Sequence, residues 1–321
     1  MSGFIPEYLD QRTECSMMQY DVANIADIFA DVVIMSNEMP ALGQSETLAE
    51  GYTIELGGSG PIFSAQFTRL GGRIAMLGII GKDHVGDFVN GRLTELGIST
   101  KYVQRSPHQK TPLGLNISIG GDRSMLTVLG SINEISPSII DNALLNEVRH
   151  WHIASFFLLS TLIQFWPEFL KKLKRRKITC SLDTNWSPLG NWELVTEILP
   201  LVDVFLPNEV EAMHITGECD YRQAGIALSH IVPLVVIKRG EKGASTFVRG
   251  NETMLTVQDS WKGEIRVVDT TGAGDSFNGG FIFEWLKQSA LEQCLRTAIQ
   301  CGIRNVQHPG GISHLFTRVK P

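Results

Sequence analysis

Near the C-terminus, two aspartates bracket a run of small residues, Asp269-Thr-Thr-Gly-Ala-Gly-Asp275, followed by Ser276-Phe-Asn-Gly-Gly280. An apolar stretch with helical spacing starts at once: Phe281, Ile282, Phe283, Trp285 and Leu286. No other segment constrains the chain as much. Small residues let a backbone approach a ligand where a Cβ would block it. A turn that opens a helix offers unpaired N–H groups and the positive end of the helix dipole, which suits an anion. An acid inside such a site is costly unless it does chemistry. Asp275 is therefore the candidate general base for a hydroxyl proton, and the amides of Gly272, Ala273 and Gly274 are candidate donors to phosphate charge. The plainer alternative is a glycine turn with an aspartate capping a helix. A bare Gly-x-Gly would favour that; the full run, with both acids and the following diglycine, does not.

The chain is long enough for an α/β domain with a small addition, at 321 residues. Hydrophobic residues make up 43% and charged residues 19%, so a sizeable core can be buried. The net charge of −6 argues against a nucleic-acid surface. The longest basic run, Lys171-Lys-Leu-Lys-Arg-Arg-Lys177, fits the solvated C-terminal end of a helix. Five scattered cysteines (Cys15, Cys180, Cys219, Cys294, Cys301) contain no Cys-x-x-Cys pair, so neither zinc nor a disulfide framework is expected, and free thiols in the cytoplasm fit best. Glu7, Asp10 and Glu14 break up the N-terminal stretch, so no secretory signal is expected there. The most apolar segment, Ile153 to Phe165, is too short and too polar to span a membrane.

Along the chain, Asp21 to Val33 reads as one strand, and Pro61 to Leu70 and Val85 to Leu96 as helices around a strand at Arg73 to Ile80. Leu113–Ile119 and Ser124–Leu129 read as a hairpin about Gly120-Gly121-Asp122. Ile139 to Val148 has helical spacing. From there strands (Trp151–Phe157, Ile178–Asp183, Val202–Leu206, Leu234–Lys238) alternate with helices (Leu162–Lys174, Leu194–Leu199, Glu209–Thr216, Tyr221–Ser229). A hairpin-like pair (Ala244–Val248, Glu252–Val257) and two helices (Phe277–Lys287, Leu291–Val306) close the chain. Such alternation predicts a mostly parallel sheet between helices.

Several motifs stand in one order. They are Gly57-Gly58 with Arg69-Leu-Gly-Gly72, Gly78-Ile-Ile-Gly-Lys-Asp83-His-Val-Gly86, Asn208-Glu-Val-Glu211, Lys238-Arg-Gly240-Glu-Lys-Gly243, and the Asp269–Asp275 run. Together, from about Tyr20 to about Gly311, the chain resembles the ribokinase-like PfkB-type carbohydrate and nucleoside kinases. The resemblance implies a single domain, a three-layer α/β/α fold with a mostly parallel central sheet. It adds a small β lid from segments near 32–57 and 101–129. It implies ATP and Mg²⁺, with Glu211 acting through water and Asn208 beside it. Lys238, Gly240, Gly243, Gly272 and Gly274 would contact the nucleotide, and Ala298, Cys301 and Asn305 would line its adenine pocket. Asp269 and Thr271 match positions that help bind a monovalent cation such as K⁺. Asp31 with Gly57 and Gly58 resembles the sugar-binding set. Where the family carries an Asn after the diglycine, this chain has Ile62, which cannot hydrogen-bond; a less hydroxylated substrate is expected.

The resulting expectation is transfer of a phosphoryl group from ATP to a hydroxymethyl group of a sugar or sugar-like molecule, with no nucleic-acid or membrane partner and a homodimer formed through the lid. A nucleoside kinase is the neighbouring reading, for which Tyr52 is the one aromatic candidate in the lid. A non-catalytic sugar or nucleotide sensor is a rival that Asp275 argues against. Asn208 and Glu211 also fit a capping box, and both roles can hold together. A dinucleotide oxidoreductase would need a Gly-x-Gly-x-x-Gly after the first strand, and Asp21 to Asp31 holds no glycine.

Overall fold

The computed structural model describes residues 18–43, 45–119 and 122–316. A nine-stranded sheet forms the centre, in the order β13-β12-β11-β10-β9-β8-β1-β4-β5. Its strands are β1 (Val22–Ile25), β4 (Ile74–Gly81), β5 (Ser99–Ser106), β8 (His150–Ile153), β9 (Thr179–Leu182), β10 (Val204–Phe205), β11 (Leu234–Lys238), β12 (Ala244–Val248) and β13 (Asn251–Leu255). All pairings from β11 to β5 are parallel, and the hairpin of β12 and β13 closes one edge antiparallel. Strands β1, β4, β8, β9 and β10 are buried along their whole length, as a sheet covered on both faces requires.

One face packs against α3 (Trp166–Arg175), α4 (Glu193–Thr196), α5 (Glu209–Thr216) and α6 (Tyr221–Ser229). The other packs against α1 (Ser59–Arg69), α2 (His84–Glu95), α8 (Ala273–Leu286) and α9 (Leu291–Val306). A one-turn α7 (Val257–Ser260) lies beside α9. The three-layer α/β/α expectation holds. Two readings along the chain do not. The stretch Asp21 to Val33 is two strands in two sheets, because the chain turns at Ala26 to Ile28 after β1 and enters the lid as β2 (Phe29–Met35). Ile139 to Val148 forms short 3-10 turns; its apolar residues Ile139, Leu144 and Leu145 are buried without a continuous helix.

The lid is a separate four-stranded sheet, β3-β2-β6-β7, with β3 (Gly51–Gly57), β6 (Leu113–Ile119) and β7 (Asp122–Val128). Ser99 to Ser106, partly inside the expected lid segment, belongs to the central sheet instead. Gly120 and Gly121, the expected hairpin turn, and Cys15 lie outside the described residues. Register sorts the lid into two faces. Val32 pairs with Ile54 and Leu115, and Leu115 with Leu126; Ile34 pairs with Tyr52 and Ile117. That face is apolar. On the other, Asp31 pairs with Glu55 and Gly114, and Gly114 with Thr127. This second face looks toward the main body: the Asp31 carboxyl lies over Gly57, while Glu55 lies against Gly310 and pairs with Arg92 of α2 at 3.3 Å.

Candidate active site

The parallel strands end on one edge, and β1 is the point where the sheet order reverses. Strand β4 leads away from it on one side and β8 on the other, the usual place for a ligand in an open α/β sheet. The polar residues that follow these strand ends meet there. Asp27 follows β1 and is 2% exposed. Its carboxylate accepts from Gly60 N (3.0 Å), Ser59 N (3.2 Å) and the Ser155 hydroxyl (2.7 Å). Ser155 follows β8. Asn185, just past β9, donates from its amide nitrogen to Ser59 Oγ (2.6 Å) and Ser155 Oγ (3.2 Å). The approach of α1 to β1 demands glycine at position 58, where φ is 95° and a Cβ would strike the Asp27 carbonyl.

Beside this pocket, α8 opens at Gly272 in the left-handed region, with φ 73°. Asp275 is therefore the third residue of the helix, not its cap, and it is buried. Burial first, then the charges of Asp183 and Asp27, push its carboxyl up to about 8; Lys238 and the Ser59 hydroxyl work in the opposite direction. Lys238, the last residue of β11, puts Nζ 2.6 Å from Asp183 Oδ2 and close to Gly274. Asp183 also accepts from Asn278 Nδ2 of α8 and from Asn185 N (3.1 Å). One step along the sheet, Asn208 caps α5. Its Oδ1 accepts from Glu211 N, and Glu211 Oε2 accepts from Asn208 N, each at 2.8 Å. Burial and the nearby Asp183 push the Glu211 carboxyl up to about 7. Behind the α8 turn lies a cleft of about 640 Å³, floored by Lys238, Gly240, Gly243, Ala273 and Gly274 and walled by Val257, Ile265, Phe277, Ile299, Ile303 and Val306. A polar pocket and an apolar cleft thus meet at the start of one helix, with a buried carboxylate between them.

The chain matches the model of the pfkB family of carbohydrate kinases over residues 21–318. The chain belongs to that family. It is 24% identical over 310 residues to the ribokinase of Haemophilus influenzae, covering 94% of this chain and 97% of that protein. It is 26% identical over 287 residues to the deoxyribokinase of Salmonella typhimurium, covering 87% and 90%. The structure of Arabidopsis thaliana ribokinase complexed with ribose and ATP superposes with a TM-score of 0.76 at 21% identity, over 94% of this chain and all (100%) of that one. That likeness bears out the ribokinase-like fold and its small second sheet.

Within this family frame the expected residues fall into two groups. Asp275, Gly272, Gly274, Lys238, Gly240, Gly243, Asn208 and Glu211 gather around the α8 turn and the cleft. Ala273 is there too, but its N–H turns back to the Thr270 carbonyl at 3.3 Å. Asp269 ties the turn together, accepting from Thr271 N (2.9 Å) and Thr271 Oγ1 (2.8 Å) and from Gly310 N (2.9 Å). The other group sits elsewhere. Ala298, Cys301 and Asn305 occupy the buried side of α9: Ala298 and Cys301 pack on Gly280, and Asn305 donates to the Gly311 carbonyl at 2.7 Å. Their neighbours Ile299, Gly302, Ile303 and Val306 line the cleft. Asp31 is on the lid with its carboxyl against Gly57, the glycine that the sequence pairs with it, and the aspartate at the sheet edge is Asp27. Ile62 is 2% exposed, and its side chain fills the space beside Gly272 and Gly311, so it props the turn.

Asp27, Ser59, Ser155, Asn185 and Asn278 escaped the sequence reading. Asp27 was masked because the apolar run Ile28-Phe29-Ala30 continues past it without a turn residue. Asp183-Thr-Asn185, an acid and an amide two apart just past a strand, was the available signal for Asn185.

Proposed function

We propose that this chain is an ATP-dependent kinase that phosphorylates a hydroxymethyl group of a sugar. Membership of the carbohydrate kinase family gives the reaction class. The observation that carries the reading is the place of Asp275 between the polar pocket and the apolar cleft. A sugar bound on Asp27 and the Gly58–Gly60 backbone presents a hydroxyl to Asp275, which takes its proton as the oxygen attacks the γ-phosphorus of ATP. The amides at the start of α8 and the Lys238 ammonium receive the charge on the transferred group. Phosphoryl transfer needs chiefly such positioning and charge balance.

Mg²⁺ bridges and neutralises phosphate oxygens in such reactions. The residues fit it. Glu211 and Asp183 are hard oxygen donors close enough to raise the Glu211 pKa, a repulsion a cation would relieve. Among the described residues no cluster of three or more His, Cys, Asp or Glu forms a closed metal cage. Mg²⁺ held mainly by phosphates and water, beside Glu211, is the arrangement this donor set suits. A monovalent cation, K⁺ by the resemblance, belongs at the seam that Asp269 forms with Gly310, and rate stimulation by K⁺ over Na⁺ tests it.

The nucleoside reading loses ground because Tyr52 shares the apolar outer face of the lid with Ile34 and Ile117. That face exposes Tyr52, Ile54, Leu126 and Val128, at 69%, 44%, 65% and 56%. Apolar sheet faces of this kind are normally covered. A second copy of the chain, lid against lid, is the occupant we assign. Four described cysteines are free thiols, and no helix of the described residues is long and apolar enough to cross a membrane; a cytoplasmic enzyme suits both facts. ATP consumption against a panel of sugars, deoxy-sugars, sugar acids and nucleosides tests the function. Turnover of nucleosides alone would reverse the preference for sugars, and no turnover of any acceptor would favour the sensor.

A further inference from the structure

Two buried carboxylates, Asp27 and Asp275, lie close enough to repel each other. Between them runs a chain of three polar side chains whose hydrogen-bond directions follow from chemistry. An ionised carboxylate only accepts. Asp27 takes two backbone N–H groups and lies 2.7 Å from Ser155 Oγ, so the Ser155 proton points at Asp27. Ser155 can then only accept from Asn185, which must turn its NH₂ toward it (3.2 Å). The same NH₂ lies 2.6 Å from Ser59 Oγ. Ser59 therefore accepts from Asn185 as well, and its own proton is left for Asp275, whose charged form it stabilises.

The backbone is bent to make this possible. Ser155 and Asn185 both hold φ at 54°, the left-handed region that residues other than glycine rarely enter. Strain of this kind persists where a surrounding structure holds it in place, typically at a working site. Asn185 is anchored from the other side too, since its N–H donates to Asp183, the partner of Lys238.

We propose that Asn185 is a positioning residue: its amide donates to Ser59 Oγ and Ser155 Oγ together, which aims the Ser155 hydroxyl at Asp27 and leaves the Ser59 hydroxyl to donate to Asp275 as that acid gives up its proton beside a second carboxylate. The charged groups acting on Asp275 are Asp183 and Asp27, which oppose its ionisation, and Lys238, which favours it. Ser59 adds a neutral donor to the favourable side, and Asn185 decides which way that donor points. The consequence for catalysis rests on the reading of Asp275 as base; the relay itself does not.

The test is a carbon-13 NMR titration of the full chain with labelled aspartate, in which the Asp275 signal is identified by its loss in Asp275→Asn. Asn185→Gly keeps the left-handed backbone and removes the amide. Ser59→Ala removes the donor and leaves Asn185 in place. Both should raise the Asp275 midpoint by about one unit, tenfold in proton affinity. Asn185→Ala removes the amide without adding a charge, should raise it as much, and serves where the glycine variant does not fold. A midpoint unmoved in the Asn185 variants overturns the proposal, even where Ser59→Ala moves it. Phosphorylation of D-ribose and 2-deoxy-D-ribose by wild type with ATP and Mg²⁺ is measured alongside. A shifted midpoint without turnover of any acceptor would sink the kinase reading and leave the relay standing.

Discussion

Lys238 Nζ lies 2.6 Å from Asp183 Oδ2, and Asp183 is 1% exposed. The pair binds the last residue of β11 to the first residue after β9, across the two-residue strand between them. Asp183 holds its charge despite full burial because Lys238 stands against it, and Lys238 is held above its ordinary pKa by Asp183, Glu211 and Asp275, which outweigh the desolvation. One ammonium thus serves three carboxylates. A γ-phosphate arriving beside Gly274 would enter a region where that cation is already fixed.

Lys238→Met should destabilise the fold and stop turnover. Removing one partner of a buried ion pair costs about 3–5 kcal/mol. Asn278 and Asn185 continue to donate to Asp183, which places the expectation at the lower end. Urea denaturation at neutral pH measures it. A loss under about 1 kcal/mol would mean the pair is not coupled to stability as its burial implies.

Asp275→Asn should lower kcat by about 10²–10⁴ while leaving ATP binding largely intact. It should also stabilise the protein at alkaline pH. The folded pKa of Asp275 is raised to about 8 from an ordinary 3.8, so the native state holds a proton that the unfolded chain has lost between those values. Stability due to this group is complete below about pH 4 and falls as pH rises toward 8. The asparagine variant escapes that loss. Its melting temperature should gain on wild type steadily from pH 4 to 8. A helix-capping aspartate would give the reverse, with the variant less stable at every pH where the acid is ionised.

Glu211→Gln separates cap from metal. Glutamine also suits the third position of a capping box, so α5 should survive. The charge is lost, and the Mg²⁺ concentration for half-maximal rate should rise about tenfold or more, with little change in sugar KM. In wild type, protons compete with the cation at Glu211, so the Mg²⁺ requirement should fall as pH rises through about 7. The variant should lack that pH dependence. Identical Mg²⁺ titrations in both proteins would leave the cap as the whole role of Glu211.

Much of this site could be read from the chain, and the exceptions share a cause. Glycines that a turn requires, and acids beside them, stand out in sequence; hence the Asp269–Asp275 run and the Asn208/Glu211 box fall where expected. Tyr221–Ser229, Leu234–Lys238 and Leu291–Val306 match the observed elements to the residue because their periodicity ends at polar or turn residues. Register and facing are harder to read. On α9 a shift of one residue separates buried Ala298 from cleft-lining Ile299, and both are apolar. Asp27 and Asp31 differ by a turn that carries no glycine or proline, so only the division into two sheets distinguishes them. Ser59, Ser155 and Asn185 have no spacing signature, since three separate segments bring them together.

The lid should pair two copies of the chain. Ile54→Lys with Leu126→Asp places charges on the apolar face, opposite the side that carries Asp31 and Glu55. Light scattering at micromolar concentration should show a dimer for wild type and a monomer for the double variant. A monomeric wild type would remove the second copy as the cover for that face.

Ile62 offers the sharpest choice between two roles. Its sequence position suggests contact with the sugar, and substitution by asparagine would then improve turnover of ribose or fructose. Its place in the fold suggests otherwise: the side chain is 2% exposed and fills the space that a Cβ at Gly272 or Gly311 would need. Packing of this kind holds the α8 turn at a fixed height above α1. Ile62→Ala should leave a void under the turn and cost about 2–5 kcal/mol of stability. It should lower kcat for all acceptors alike, with sugar preference unchanged. Ile62→Asn should do worse, since its buried amide lacks the partners that water would have given, at about 1–3 kcal/mol per unmet group. The deciding measurement is the ratio of kcat/KM for ribose to that for 2-deoxyribose in wild type and both variants. A constant ratio with falling kcat supports the prop beneath the turn. A ratio that swings toward ribose in Ile62→Asn would return Ile62 to the sugar pocket and with it the reading that this chain prefers a less hydroxylated substrate.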